Sequence, residues 1–333
     1  LVDGMLRQCN VFSDHELLVD RVMDSMDLEK ERGITITSKN TAVVYGNTKI
    51  NILDTPGHAD FGGEVERVLS MVDGAMLLVD ASEGPLPQTR FVLRKAMANK
   101  LTIIVCINKI DRPDARVAEV LNEVYDLFIE LDADEEALDF PVLYACAKEG
   151  IAGHSLDAEM TDLRPLLDTI VEKIPAPAHE EGEARLVVTN LDRDNYVGRL
   201  CLGRMRGAPL LKNQVVTWFG EDVTKKVRAQ ILYSWSGLKR MEVDRAEPGD
   251  IVAVAGIEGV TVGDTLAAGD NPEPLPRVKV DEPTIGMLFT INNSPFSGRD
   301  GKFLTSRQIQ LRLERELLSN VSIKVVETDE KEA

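Results

Sequence analysis

Between residues 41 and 174 the chain alternates apolar runs of strand length with segments whose apolar residues recur at helical spacing. The runs are Lys49 to Asp54, Ala75 to Asp80, Leu101 to Asn108 and Phe140 to Cys146. Between them Val65, Val68, Leu69 and Val72, and again Val117, Val120, Leu121 and Val124, fall at i, i+3, i+4, i+7, which gives each helix one buried stripe. Strands that are apolar on both faces, separated by such helices, read as a parallel sheet covered on both sides. The predicted architecture over 1–174 is a doubly wound α/β domain, whose ligands sit at the carboxyl ends of the strands.

The pattern breaks at Ile174-Pro175-Ala176-Pro177, followed by a charged stretch, which reads as a linker. From Ala184 to about Ala268 helical periodicity gives way to short β-type runs: Arg185 to Thr189, Val197 to Met205, Val215 to Phe219, Val223 to Tyr233 and Ile251 to Ala255. A second domain over 184–270 is expected, a small β-barrel with an open sandwich as the alternative. Asn271-Pro272-Glu273-Pro274-Leu275-Pro276 is a second, stiffer linker. Beyond it a strand (Thr284 to Ile291), a helix (Thr305 to Ser319) and a strand (Val321 to Val326) read as the first half of a ferredoxin-like α+β domain over 283–333. About fifty residues would bury little core alone.

A chain of 333 residues with 44% hydrophobic and 28% charged residues has the composition of a globular protein of two or three domains. No apolar run approaches the roughly 20 residues that span a bilayer. The four cysteines, Cys9, Cys106, Cys146 and Cys201, show no C-x-x-C spacing, which fits reduced thiols in a cytoplasm. The formal charge of −18 argues against a surface that attracts nucleic acid everywhere. An RNA contact would need a local patch such as Arg199, Arg204 and Arg206, or Lys225, Lys226 and Arg228.

Two acidic motifs fall at strand ends. Asp54-Thr55-Pro56-Gly57 follows the first run: a strand-end aspartate can hold Mg²⁺ through water, and Gly57 lets a backbone N–H approach a terminal phosphate. A strand-ending turn is the plain alternative. Asn108-Lys109-Ile110-Asp111 is more specific. A carboxylate accepts two hydrogen bonds from the N1–H and N2–H₂ edge of guanine, whereas adenine would leave that charge unpaired, so discrimination falls on Asp111. The stem of Lys109 can lie across the base and Asn108 can pin neighbouring loops; a polar turn capping the next helix is the alternative. Upstream, Thr35 can ligate Mg²⁺ and meet the γ-phosphate with its N–H. Tyr144-Ala145-Cys146-Ala147-Lys148 can offer the Ala147 N–H to guanine O6. No G-x-x-x-x-G-K-[ST] phosphate loop occurs within residues 1–333.

In order and spacing, these segments resemble the GTP site of translational GTPases, a P-loop-NTPase-like fold. Met26-Asp27-Leu28-Glu29-Lys30-Glu31-Arg32-Gly33-Ile34-Thr35-Ile36 and Asp54-Thr55-Pro56-Gly57-His58-Ala59-Asp60-Phe61 resemble the elongation-factor class. Gly62-Gly63-Glu64-Val65-Glu66-Arg67-Val68, Asp281-Glu282-Pro283-Thr284, Asn293-Ser294-Pro295-Phe296 and Gly301-Lys302-Phe303-Leu304-Thr305-Ser306-Arg307 are similar to the BipA/TypA group, with elongation factor G and LepA as close alternatives. The resemblance implies ribosome-stimulated hydrolysis of GTP to GDP and phosphate with Mg²⁺, roles in ribosome assembly and in stress or cold adaptation, and a monomer off the ribosome in cytoplasm or an organelle. It also implies that His58 orients the attacking water and that Ile34 belongs to an apolar gate beside it.

Two features depart from the group. Cys146 stands where serine is usual, a small change for a backbone reader. With no phosphate loop, and with a first residue that reads as a helix already under way, the chain looks like a GTPase cut just after that loop. Losing four charge-assisted hydrogen bonds removes at least about 6 kcal/mol, or about four decades of affinity, so this chain alone is expected not to hold GTP at cellular concentrations. A ribosome-binding module that has lost nucleotide binding is the alternative reading.

Overall fold

The computed structural model describes residues 1–11, 23, 27–32, 35–57, 62–194, 196–277, 286–292, 294–299, 305–319 and 323–326. Short helices α1 (Val2–Gln8) and α2 (Asp27–Arg32) precede an antiparallel hairpin of β1 (Lys39–Tyr45) and β2 (Thr48–Asp54). There follow α3 (Gly62–Leu69), β3 (Gly74–Asp80), α4 (Pro87–Ala98), β4 (Thr102–Asn108), α5 (Val117–Glu130), α6 (Glu135–Leu138), β5 (Val142–Cys146), β6 (Ile151–Gly153) and α7 (Arg164–Lys173). Strands β3, β4 and β5 are parallel and β6 closes the sheet antiparallel, in the order β3-β4-β5-β6.

Central strand β4 shows why its run is unbroken. Ile103, Val105 and Ile107 pack on one face with Val65, Leu93, Val120 and Phe128 of α3, α4 and α5. Ile104 and Cys106 pack on the other with Met5 of α1 and Leu166, Leu167 and Ile170 of α7. Period-two alternation thus sends every second residue into a different helix layer.

One strand differs from expectation. β2 uses its ladder on β1, from Lys39↔Asp54 to Tyr45↔Thr48, and is not paired with the parallel sheet among the described residues. An apolar run identifies a strand without identifying its neighbour, and a hairpin closed at Gly46-Asn47 is a far shorter connection than a crossover.

After the proline linker, an antiparallel sheet curls around a second core. Its strands are β7 (Arg185–Val187), β8 (Asn190–Asp194), β9 (Gly198–Arg206), β11 (Val215–Phe219), β12 (Thr224–Arg228), β13 (Ile231–Ser236), β14 (Lys239–Val243), β16 (Ile251–Ala255) and β17 (Thr265–Ala267). A small pair, β10 (Leu210–Leu211) with β15 (Arg245–Ala246), stands beside it. The order β12-β11-β17-β7-β9-β16-β13-β14, with β8 also on β9, leaves β12 and β14 as outer strands of a barrel-like wall. Leu186, Cys201, Val216, Trp218, Leu232, Val252, Val254 and Leu266 fill it. Trp218 gives its indole N–H to the buried Asp264 at 2.8 Å, which satisfies both groups. Gly203 on β9 is where strands cross closely: a Cβ there would stand 2.1 Å from the Val187 carbonyl oxygen.

The hairpin is shared between the two domains. Gly237 exchanges backbone hydrogen bonds with Ala42 (2.8 and 3.3 Å) and accepts from the Thr41 hydroxyl at 2.7 Å. It has φ 57°, and a Cβ there would meet Val11 at 2.2 Å, so glycine is required twice over. Lys49 reaches Asp250 (2.8 and 2.9 Å) and the Ser234 hydroxyl (2.8 Å), and Asn51 also donates to Asp250. Arg204 grips Asp73 with two hydrogen bonds, 2.7 and 2.9 Å.

Over 283–333 only part of the expected ferredoxin-like half-domain falls within the described residues. Helix α8 (Ser306–Ser319) forms, but residues 286–292 and 323–326 are not strands. A strand exists through its ladder, and Met287, Leu288 and Phe289 are exposed, with no partner strand beside them among the described residues.

Candidate nucleotide site

Register assembles the site. Asp80 of β3 lies opposite Asn108 of β4, and Asn108 lies opposite Ala145 of β5, so three strand ends form one row. Asn108 is buried, and its Oδ1 accepts the Ala147 N–H at 3.0 Å. The Ile110 N–H reaches the Ala145 carbonyl at 3.4 Å, and the Ala81 N–H donates to the Asn108 carbonyl at 2.8 Å. These bonds bring the loops after β3, β4 and β5 together at the carboxyl edge of the sheet.

Asp111 and Lys148 stand exposed on that edge, next to the partly buried Ala147. Cys146 is buried, and burial followed by the neighbouring Asp111 carboxylate pushes its thiol up, against a hydrogen bond from the Glu149 backbone. Lys109 adopts φ 64°, the left-handed region, and its ammonium lies 2.6 Å from Asp80 Oδ2. Burial works against the Asp80 charge, but Lys109 and the Ser82 and Glu83 N–H groups outweigh it and hold this carboxyl below its usual range.

The Ala147 N–H donates to Asn108, because the Asn108↔Ala145 register carries the asparagine side chain under this turn. The next N–H in the turn, of Lys148, has no acceptor among the described backbone hydrogen bonds.

Asp54 lies at the open end of the hairpin, opposite Lys39 in the β1–β2 register, and Thr35 precedes that same end by four residues. The segment after Thr35 is fixed by Glu29 of α2. This fully buried carboxylate accepts from the Ile36 N–H at 3.0 Å and the Thr37 N–H at 3.4 Å, and pairs with Lys39. Ser38 donates to Glu64 at 2.8 Å, and Glu64 pairs with the buried Arg67. Gly57 is exposed, with open space where a Cβ would stand. His58 and Ile34 lie outside the described residues. Sequence reading missed Glu29, Glu64 and Asp80; for Asp80 the available signal was its place at the end of an apolar run, like Asp54.

Of the basic patches, Arg204 and Arg206 are taken by Asp73 and Glu180, and Arg199 donates to the Val260 carbonyl. Lys225, Lys226 and Arg228 are exposed on outer strand β12, with Lys225 over the Trp218 ring.

Residues 1–176 match the family of the elongation factor Tu GTP binding domain. The large ribosomal subunit assembly factor BipA of Bacillus subtilis is 50% identical over 332 residues, covering 98% of this chain and 54% of that protein. The putative chloroplastic TypA-like elongation factor SVR3 of Arabidopsis thaliana is 49% identical over 98% of this chain and 48% of its own length. The chain therefore spans about half the length of the curated relatives it matches. A Thermus thermophilus protein of known crystal structure shares the fold, with TM-score 0.73, 18% identity and coverage of 99% of this chain and 60% of its own. With a family match over more than half of the chain and a relative 50% identical across nearly all of it, this protein belongs to the elongation factor Tu GTP-binding family, and within it to the BipA/TypA type of translational GTPase.

Proposed function

We propose that this protein is a ribosome-associated GTPase that hydrolyses GTP to GDP and phosphate and acts in ribosome assembly and translation, with stress or cold adaptation as its setting. The observation that carries the reading is the single edge on which the Asn108 side chain ties the Ala147 turn while Asp111 remains exposed beside it. On that edge Asp111 accepts from the guanine N1–H and N2–H₂, the Lys109 stem lies on the base, and the Ala147–Lys148 turn meets O6 with its N–H groups. The partners of such a protein are guanine nucleotide and the RNA and proteins of the ribosome, met as a monomer in cytoplasm, stroma or matrix. No helix among the described residues is long and apolar enough to cross a membrane.

The phosphate side rests on Thr35, Asp54 and Gly57. Among the described residues no cluster of three His, Cys, Asp or Glu side chains is placed to hold a metal alone. Thr35, through its hydroxyl, and Asp54, through water, are the residues that would hold a Mg²⁺ ion. When bound, the ion neutralises charge on the transferring phosphoryl group. We assign the water-orienting role to His58 and the apolar gate to Ile34 by family resemblance. We further propose domains at 1–174, 184–270 and 283–333, with the barrel as the ribosome-docking unit.

Residues 1–333 hold no G-x-x-x-x-G-K-[ST], so we propose that this chain alone grips triphosphate weakly and hydrolyses little. The same observation supports the second reading, a ribosome-binding module without nucleotide chemistry. NMR titration separates them, since it reads millimolar affinities. GMP should shift the Ile110, Ala147 and Lys148 amides, AMP should not, and Asp111→Asn should move the preference from GMP toward xanthosine monophosphate, whose C2 carbonyl accepts from the new amide. Equal responses to GMP and AMP would sink the enzyme reading.

A further inference from the structure

We propose that Asp80 is a positioning residue of the guanine site, holding the Lys109 ammonium so that the aliphatic stem of this lysine is strapped along the rim where the base stacks. The inference rests on the guanine reading above and names a residue which that reading did not need.

The lysine is placed by its backbone and by an ion pair at its tip. At the backbone, Lys109 sits at φ 64° and its carbonyl accepts the Arg112 N–H at 3.1 Å. At the tip, its ammonium lies 2.6 Å from Asp80 Oδ2. Asp80 is itself planted: Oδ1 accepts the Ser82 N–H at 2.8 Å and the Glu83 N–H at 3.3 Å, and its side chain is only 12% exposed against 53% for Lys109. The carboxylate is the fixed post and the lysine rides over it.

Register explains the pairing. Asp80 stands opposite Asn108, so the residue after Asn108 leaves its strand within reach of the Asp80 carboxylate. The other cation nearby does not compete well. Arg112 is 3.7 Å from Asp80 but makes two hydrogen bonds to Asp114, at 2.9 and 2.8 Å. A lysine tethered in this way exposes its methylenes along the rim, and methylenes are the part of the side chain that covers an apolar face. It also gives up its rotamer freedom before a base arrives rather than on arrival, which improves affinity without a new contact. An ion pair of purely structural purpose at such exposure would contribute little to stability and nothing to nucleotide affinity.

The test is NMR titration of the full chain with GMP, comparing wild type, Asp80→Asn, Asp80→Glu, Lys109→Met and the Asp80→Asn/Lys109→Met double variant. Asp80→Asn should weaken GMP by about two- to tenfold, the weight of one long side chain left to be ordered on binding. The double variant should be no weaker than Lys109→Met alone, and Asp80→Glu should recover most of the loss. Unchanged GMP affinity in Asp80→Asn overturns the proposal, as do additive losses in the double variant, which would mean a general loosening of the loop. Tighter binding in Asp80→Asn overturns it too, by showing that the pair competes with the base. A wild type that ignores GMP removes the guanine reading itself, an outcome distinct from a wild type that binds and an Asp80→Asn that binds equally well.

Discussion

The two halves of the candidate site are held by different neighbours. The base-reading edge is internal to the parallel sheet: Asp80, Asn108 and Ala145 share a row, and Asn108 holds the Ala147 turn directly. Thr35 and Asp54 instead flank a hairpin tied to the barrel by Gly237 and Asp250. The proposed base reader can thus be set by the folding of one domain, whereas the proposed metal and phosphate side also touches a second domain through the hairpin. That division suits a switch, in which base recognition stays constant while the γ-phosphate contacts come and go.

The most damaging change to the base half alone should be Leu143→Ala. Leu143 is fully buried on β5, and its truncation should cost about 2–5 kcal/mol in urea unfolding. Amide exchange at Ala147 should rise with it while Val252 and Val254 in the barrel keep their protection; equal loss in both would show one cooperative unit. The mirror-image change is Asp250→Ala, which strips Lys49, Asn51 and Ser234 of their shared acceptor. Because Lys49 is partly exposed, about 1 kcal/mol is expected, seen as faster exchange along β1 and β2 with the Ala147 amide unmoved. A response at Ala147 would join the halves that the comparison separates.

The loop tie beside the base half should resist acid. Arg112, then the Ser82 hydroxyl, hold the Asp114 carboxyl down to about 2. A folded pKa below the unfolded value stabilises above the unfolded pKa and is lost as pH falls through the folded one. The tie between the loops after β3 and β4 should therefore persist at pH 4 and fail toward pH 2, followed by the Asp114 carboxyl carbon shift. A midpoint near the ordinary 3.8 would mean that the Arg112 pair is open in solution. The smallest effect concerns thiols. Burial pushes Cys106 in the sheet and Cys201 in the barrel up to about 12, so neither should react with iodoacetamide at pH 8 in the native protein. In Leu143→Ala, Cys106 should become reactive at lower urea than Cys201.

How much of this was legible in the sequence depended on what each residue faces. β4, β11 and β16 could be read because both of their faces, or one deep face, are apolar. β8 and β14 could not: Asn190–Asp194 and Lys239–Val243 are mostly polar and outward-facing, and they are strands only because β9 and β13 supply ladders. The Val223–Tyr233 run broke into β12 and β13 where Ala229 turns to bond Asn213 and Gln214. At the candidate site, Asp111 is singled out by the chemistry a guanine edge demands and Asn108 as a residue that can pin neighbouring loops, and its side chain does hold the Ala147 turn. The use of the Ala147 N–H by Asn108 could not be found, since it follows from strand register rather than residue type. Asp80 looked like any strand-ending aspartate until its cation was visible.

The central claim is that this chain carries a competent guanine edge whose weakness lies on the phosphate side. It is tested most directly by binding of fluorescent GDP with Mg²⁺ to the chain and to a version extended upstream through a relative's phosphate loop. The account predicts binding about four decades tighter in the extended form, lost on Asp111→Asn. Tight binding by the unaided chain, or none by either form, would contradict it.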